Sequence, residues 1–284
     1  MLRIIIKLPL LLIENILFSL FPMSRKYVEK ILFNPYAFGV SHNQYSKNQL
    51  NTLEESLQRT LGHTFTFKNK TVLELGPGGS LGFGLLILEK NAKRYYALES
   101  GLHAFISKKQ LSLYKELLSP NNTGRYFNRE KSGNICYNNN LIRLSSINQD
   151  STYDIATNSI DLVYSCAVLE HVHNLELCFK EMTRVLKPGG IMYHQVDLRD
   201  HIFFQKKLLF LKIPTKLYRL FFKECGAYTN RKRFNYYKKL AEKNNLKILD
   251  IQTDRLFHTD KKLKRIYNKD DFEVASFNFI LQKQ

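Results

Sequence analysis

Two acids and a run of glycines stand where this chain could hold a ligand. Glu74-Leu75-Gly76-Pro77-Gly78-Gly79-Ser80 closes a short apolar run. Glycine there permits both a tight bend and close approach of backbone to a ligand, because it carries no Cβ. Glu74 occupies a place where a dinucleotide site usually has an apolar residue, and a carboxylate at that point attracts an ammonium group. Glu99, followed by Ser100, comes at the distance at which an acid accepts hydrogen bonds from ribose hydroxyls. A ligand with both an amine and a ribose satisfies this pair; the plain alternative for each acid is a helix cap or a surface ion pair.

A second set of residues suits proton transfer. His171 and His173 lie in SCAVLEHVH, and Asp197 and His201 in VDLRDH. Histidine moves protons near neutral pH, which makes His171 the first candidate for a general base and Asp197 with His201 the second. A hydrogen-bonded wall residue is the alternative for His171. Glu170 is left out of the catalytic set, since it could equally cap the helix that begins near Asn174. His171 and His173 are two positions apart and would fall on different sides of a helix, so no metal site is expected.

Those residues need a scaffold that gathers strand ends. Leu50, Leu53, Leu57 and Leu61 recur at helical spacing before Gly62. Thr71–Leu75 reads as a strand, the glycine turn follows, and Leu81–Lys90 reads as a helix. Arg94–Leu98 and His103–Leu118 repeat the unit, with Pro120 at its end. Ser119–Asn140, rich in Asn, Gly and Ser, reads as a surface excursion before a strand at Leu141–Leu144. Then come strand Ile160–Ser165, helix Leu175–Leu186, a turn over Lys187–Gly190 and strand Ile191–Asp197. Leu198–Asn245 is an insertion, helical and interrupted at Pro214, and strands Leu246–Thr253 and Glu273–Leu281 follow. Alternation of this kind predicts a doubly wound, mostly parallel sheet. In such a sheet ligands sit beyond the carboxyl ends of the strands, where the glycine turn falls.

With those elements in place, ELGPGGS at Glu74–Ser80 resembles the first motif of class I S-adenosylmethionine methyltransferases. SIDLVYSCAVLEHV at Ser159–Val172 and LKPGG at Leu186–Gly190 are similar to the type 11 methyltransferase domain, a likeness that covers Thr71 to Asp197. The resemblance implies a Rossmann-like sheet of seven strands with the last reversed, and S-adenosylmethionine as cofactor. It further implies that Gly76, Pro77 and Gly78, with Gly79 beside them, hold the methionyl part and Glu74 its amino end. Glu99 and Ser100 would take the ribose, Asp150 the adenine, and Ser165, Cys166 and Ala167 the wall near the sulfonium. VDLRDHIFF and TNRKRFNYY (Thr229–Tyr237) resemble enzymes of bacterial surface-glycan assembly. The expected acceptor is thus a small molecule, a sugar or a glycolipid, with Arg231 and Arg233 offered to a sugar or phosphate; a solvated basic helix face is the alternative for the two arginines. Residues 1–49 form an N-terminal helical extension, 50–198 the cofactor-binding core, 199–245 a helical lid and 246–284 the final strands.

Composition narrows the competing readings. The chain has 284 residues, 44% of them hydrophobic, which excludes a disordered chain. Cys136, Cys166, Cys178 and Cys225 lie far apart, without paired spacing, and fit a reducing cytoplasm rather than a disulfide framework. The net charge of +18 favours anionic partners, although a bias toward Lys, Asn and Ile also arises from AT-rich coding DNA. Met1–Phe21 is apolar but carries Arg3, Lys7 and Glu14, short of the roughly 20 apolar residues of a spanning helix. From Pro9 on, Leu10, Ile13, Leu17 and Leu20 form an apolar face that either docks on the domain or lies on the inner face of an anionic membrane. Nucleic-acid methylation is the second enzyme reading, set back because SCAVLEH replaces an NPPY-like turn. A catalytically silent cofactor-binding scaffold is the non-enzyme alternative, and a nicotinamide dehydrogenase is set further back by Leu81 at the third glycine position.

Overall fold

Polar residues, more than apolar periodicity, decide where the first long helix starts. In the computed structural model a short ladder of β1 (Tyr36–Ala37) and β2 (Val40–Ser41) leads into α1 (His42–Leu61). The Ser41 hydroxyl accepts the Gln44 amide at 3.2 Å, and Gly62, at φ 74°, closes the far end by donating to the Gln58 carbonyl. The helix therefore begins well before Leu50, where the leucine pattern places it. Its first turns bury Asn43 and Ser46, which interrupt that pattern. The boundary expected at residue 50 falls inside it. The structure describes residues 36–37, 40–99, 106–120, 122–201, 208–223, 228–255 and 269–284, and the single positions 13, 16 and 263. Met1–Phe21 apart from Ile13 and Ile16, as well as Ser100, His103 and Cys225, lie outside these.

The units that follow match the alternation in the sequence. They are β3 (Thr71–Leu75), α2 (Gly82–Glu89), β4 (Arg94–Leu98) and α3 (Lys108–Leu117), the last opened by a capping box of Ser107 and Gln110. The excursion at 119–140 is more ordered than its composition implies. It holds α4 (Thr123–Tyr126) and an antiparallel pair, β5 (Phe127–Arg129) with β6 (Ile135–Tyr137), whose Phe127 and Tyr137 are buried against Tyr114. Then come β7 (Ile142–Ser145), β8 (Ile160–Cys166), α5 (Leu175–Val185) and β9 (Leu186–Asp197). The turn expected over Lys187–Gly190 is an irregular start to β9, with Gly189 at φ 73° and a register shift against β8.

Seven strands form one sheet in the order β10-β11-β9-β8-β3-β4-β7, where β10 is Leu246–Arg255 and β11 is Val274–Lys283. All neighbours are parallel except β11, which runs against both β9 and β10. Strand order reverses between β3 and β8, the place where a doubly wound sheet opens a crevice. Successive residues of β3 serve opposite faces. Leu73 and Leu75 pack with Phe179 and Met182 of α5, whereas Val72 packs with Leu53 and Leu57 of α1. Helices thus cover both faces.

The insertion divides in two. Its second helix, α7 (Phe234–Lys243, after α6 at Thr215–Phe222), sends Phe234, Tyr237, Leu240 and Ala241 into the main core. It is a core helix and not part of a lid, because those apolar positions meet Phe277 of β11. The lid proper is a one-turn helix at Leu209–Lys212 and α6, separated at Pro214 as the sequence indicates. Leu208, Phe210, Tyr218 and Phe222 form a small core of their own with Leu263 and with Phe272 of α8 (Lys269–Glu273).

Candidate active site

The register of the parallel strands puts the critical residues on one level. Leu75 pairs with both Leu98 and Ser165, and Leu98 with Ser145, so Gly76, Glu99 and Cys166 leave their strands side by side. The Gly76 amide donates to the Leu98 carbonyl at 2.9 Å and the Glu99 amide to Ser145 at 3.1 Å, which ties the strand ends together. Gly76 and Gly78 both adopt φ 65°, the left-handed region that glycine enters without penalty. A Cβ at Gly76 would stand 2.4 Å from Val168 Cγ2, whereas one at Gly78 meets nothing within 4 Å. The turn is packed on one side and open on the other. Pro77 and Gly79 complete it, and Gln110 of α3 donates to the Gly79 carbonyl at 3.3 Å.

Glu74 does not stand open to solvent. It is 4% exposed, and the Tyr95 hydroxyl donates to its carboxylate through a short hydrogen bond. Burial pushes Glu74 up to about 8, against the bond from Tyr95, which favours the charged form. Glu99 is half-buried at the end of β4. Asp150 Oδ2 accepts the Asn174 amide at 2.8 Å, anchoring the start of α5. Ser165 is fully buried with its hydroxyl 2.8 Å from His194 Nδ1, so its side chain faces the core and only its backbone can line a site. Desolvation pushes that His194 down to about 3. Cys166 donates to Gln195 Oε1 at 2.9 Å, and Ala167 takes φ 53°, a strained angle for a residue with a Cβ.

His171, Asp197 and His201 come together. The His171 and His201 rings lie 5.0 Å apart, and His201 Nε2 lies 3.6 Å from Asp197 Oδ2. His171 Nδ1 bonds to the Tyr228 carbonyl. A carbonyl only accepts, so the neutral ring carries its proton on Nδ1 and its lone pair on Nε2. Burial would raise the Asp197 carboxyl, but hydrogen bonds from His201 and Arg199 overcome it and hold the group far below the usual range.

One residue set aside in the sequence and one missed there both belong to the site. Glu170 does not cap α5; the Asn174 side chain does, accepting the Leu177 amide at 3.1 Å. Glu170 is instead 2% exposed, with one oxygen accepting the Asp197 amide at 3.3 Å and the other without a hydrogen-bond partner among the described residues. Burial, reinforced by the Asp197 charge, pushes it up to about 8. The signal was its place just past a strand end, directly after the buried apolar pair Val168 and Leu169. Tyr45 comes from α1, with its hydroxyl 3.5 Å from Cys166 Sγ, and no local motif marks it. Two arginines were assigned to a substrate. Arg233 does not face a substrate, because it is buried and donates to three backbone carbonyls. Arg231 donates to the Leu211 carbonyl at 2.7 Å and stacks on Tyr218. Among the described residues, no group of three His, Cys, Asp or Glu is placed to hold a metal ion, and no helix is long and apolar enough to cross a membrane.

Residues 73–194 match the model of a family described as a methyltransferase domain. An S-adenosylmethionine-dependent methyltransferase from Mesorhizobium loti aligns at 14% identity over 81% of this chain and 96% of its own, with a TM-score of 0.47. One from Methanosarcina mazei aligns at 17% identity over 76% and 93%, with a TM-score of 0.41. No curated protein matches the sequence.

Proposed function

Since residues 73–194 match the model of a methyltransferase domain, we propose that the chain is an S-adenosylmethionine-dependent methyltransferase and that it methylates a hydroxyl of a small molecule, sugar or lipid-linked glycan. The cofactor supplies an electrophilic methyl group, and the protein's work is to align an acceptor with it. The turn fits such a group, since Gly78 faces open space and a side chain there would fill it. Gly76, Pro77, Gly78 and Gly79 would hold the methionyl part. Tyr95 occupies one oxygen of Glu74, and the rest of that carboxylate would meet the ammonium. Glu99 and Ser100 would hold the ribose and Asp150 would stand toward the adenine, with Cys166, Ala167 and the Ser165 backbone along the wall.

The observation that carries the hydroxyl reading is the orientation of His171. Its bond to Tyr228 leaves Nε2 as the basic nitrogen, and a base that takes the acceptor's proton adds roughly 10²- to 10⁴-fold in rate. His201, 3.6 Å from Asp197, would steady the charge that His171 gains. His171→Ala is expected to leave cofactor affinity unchanged and to lower turnover by about 10²-fold or more, read as S-adenosylhomocysteine release over a panel of hydroxyl acceptors. Turnover near that of the parent would sink the assignment, and Glu170→Gln would then be the next variant to assay.

Calorimetry tests the cofactor site directly. Micromolar binding of S-adenosylmethionine and S-adenosylhomocysteine is expected, with at least a tenfold loss in Glu99→Ala, or about 1.4 kcal/mol. Unchanged affinity in that variant would remove Glu99 from the ribose site.

A further inference from the structure

We propose that helix α6 of the lid docks this protein on an anionic lipid surface, through Leu217 and Leu220 flanked by Lys216 and Arg219. Tyr218 and Phe222 are 1% exposed and hold the helix on the lid core, while Leu217 is 47% and Leu220 58% exposed on another face. Only four large hydrophobic side chains are exposed among the described residues, and this eight-residue helix supplies two of them. The other two, Ile13 and Ile16, stand three positions apart with Glu14 between them and Lys7 six positions before. Exposed leucines beside lysine and arginine on an amphipathic helix such as α6 are the pattern of interfacial helices. There the apolar face enters the headgroup boundary and lysine or arginine reaches back to the phosphates.

Charge selects the occupant. A second copy would set +18 against +18 and lay Lys216 and Arg219 beside their own kind. An anionic bilayer satisfies both the leucines and the cations. The lid also abuts the site at the strand ends. Tyr228, whose carbonyl receives His171, has its ring 6.0 Å from that of Tyr218 in α6. Docking would therefore bring the base close to the membrane plane. This last step rests on the hydroxyl reading above, and the docking itself does not.

The chain contains no tryptophan, so Leu220→Trp places a single reporter on this face of the full-length protein. Its emission is expected to shift to the blue on vesicles of phosphatidylcholine with phosphatidylglycerol, to be quenched by brominated acyl chains, and to stay unchanged on phosphatidylcholine alone. Leu217→Ser with Lys216→Ala and Arg219→Ala should weaken vesicle binding about tenfold while S-adenosylmethionine affinity stays at the parent value. Vesicle binding without any change in the tryptophan signal would overturn the proposal. A blue shift that depends on protein concentration without lipid would also overturn it, and would point to a second copy. Cofactor binding, measured on the same variants, fails or holds independently.

Discussion

Arg233→Met is expected to lower the melting temperature by on the order of 10 °C. The guanidinium donates to the carbonyls of Leu198 at 2.6 Å, Val274 at 2.7 Å and Asp271 at 2.9 Å. These belong to the residue after β9, the start of β11 and α8 just before it, so the guanidinium ties the end of β9 to the junction of α8 and β11. The side chain is 4% exposed and its bonds to Leu198 and Val274 are buried, so those two carbonyls would not find water once the donor is gone. Each buried carbonyl left unpaired costs about 1–3 kcal/mol. Methionine recovers part of that by filling the space, which leaves a net loss of roughly 3–5 kcal/mol. Arg233→Lys keeps the charge but presents a compact ammonium in place of a planar fork, and should recover less than half of the loss. Thermal unfolding followed by circular dichroism checks both. A methionine variant that melts like the parent but loses turnover would return Arg233 to the substrate site.

That arginine shows where a linear reading stops. In TNRKRF, Arg231 and Arg233 look alike, and nothing local distinguishes a guanidinium bound for solvent from one that staples three distant carbonyls. Position 233 is buried by partners 35 to 41 residues away. Alternation of short apolar runs with helical ones, by contrast, is local, and it placed four of the five parallel strands of the main sheet within a residue, while β9 begins five residues before the expected Ile191. The glycine turn was legible for the same reason, since the bend it needs is a property of four adjacent residues. The β5–β6 pair was missed because three-residue strands in an Asn-rich stretch carry no periodicity. The α7 helix was given to the lid because its apolar stripe says only that it must pack, and not against what. Tyr45 and Glu170 belong to the same class as Arg233. Tyr45 reaches Cys166 across 121 positions, and the burial of Glu170 depends on how β9 and the 229–230 segment close over it.

The glycine turn offers a sharper test, because its two left-handed positions differ only in what surrounds them. Gly76→Ala and Gly78→Ala should each cost about 1–2 kcal/mol for holding a residue with a Cβ at φ 65°. At Gly78 that is the whole cost to stability, since the added methyl meets nothing within 4 Å. At Gly76 the methyl would lie 2.4 Å from Cγ2 and 2.9 Å from Cγ1 of Val168, and overpacking adds about 1–3 kcal/mol. Gly76→Ala should therefore be the less stable variant by several degrees. Cofactor affinity should behave differently. Both variants are expected to lose at least tenfold, Gly78→Ala because its methyl occupies the open side of the turn, and Gly76→Ala because Val168 and the 167–171 segment bearing His171 must move. Equal melting temperatures would mean that Val168 turns aside without strain, and the link between the glycine turn and the His171 segment would then be looser than their packing implies. Full cofactor affinity in Gly78→Ala would place the ligand away from the open side of the turn altogether.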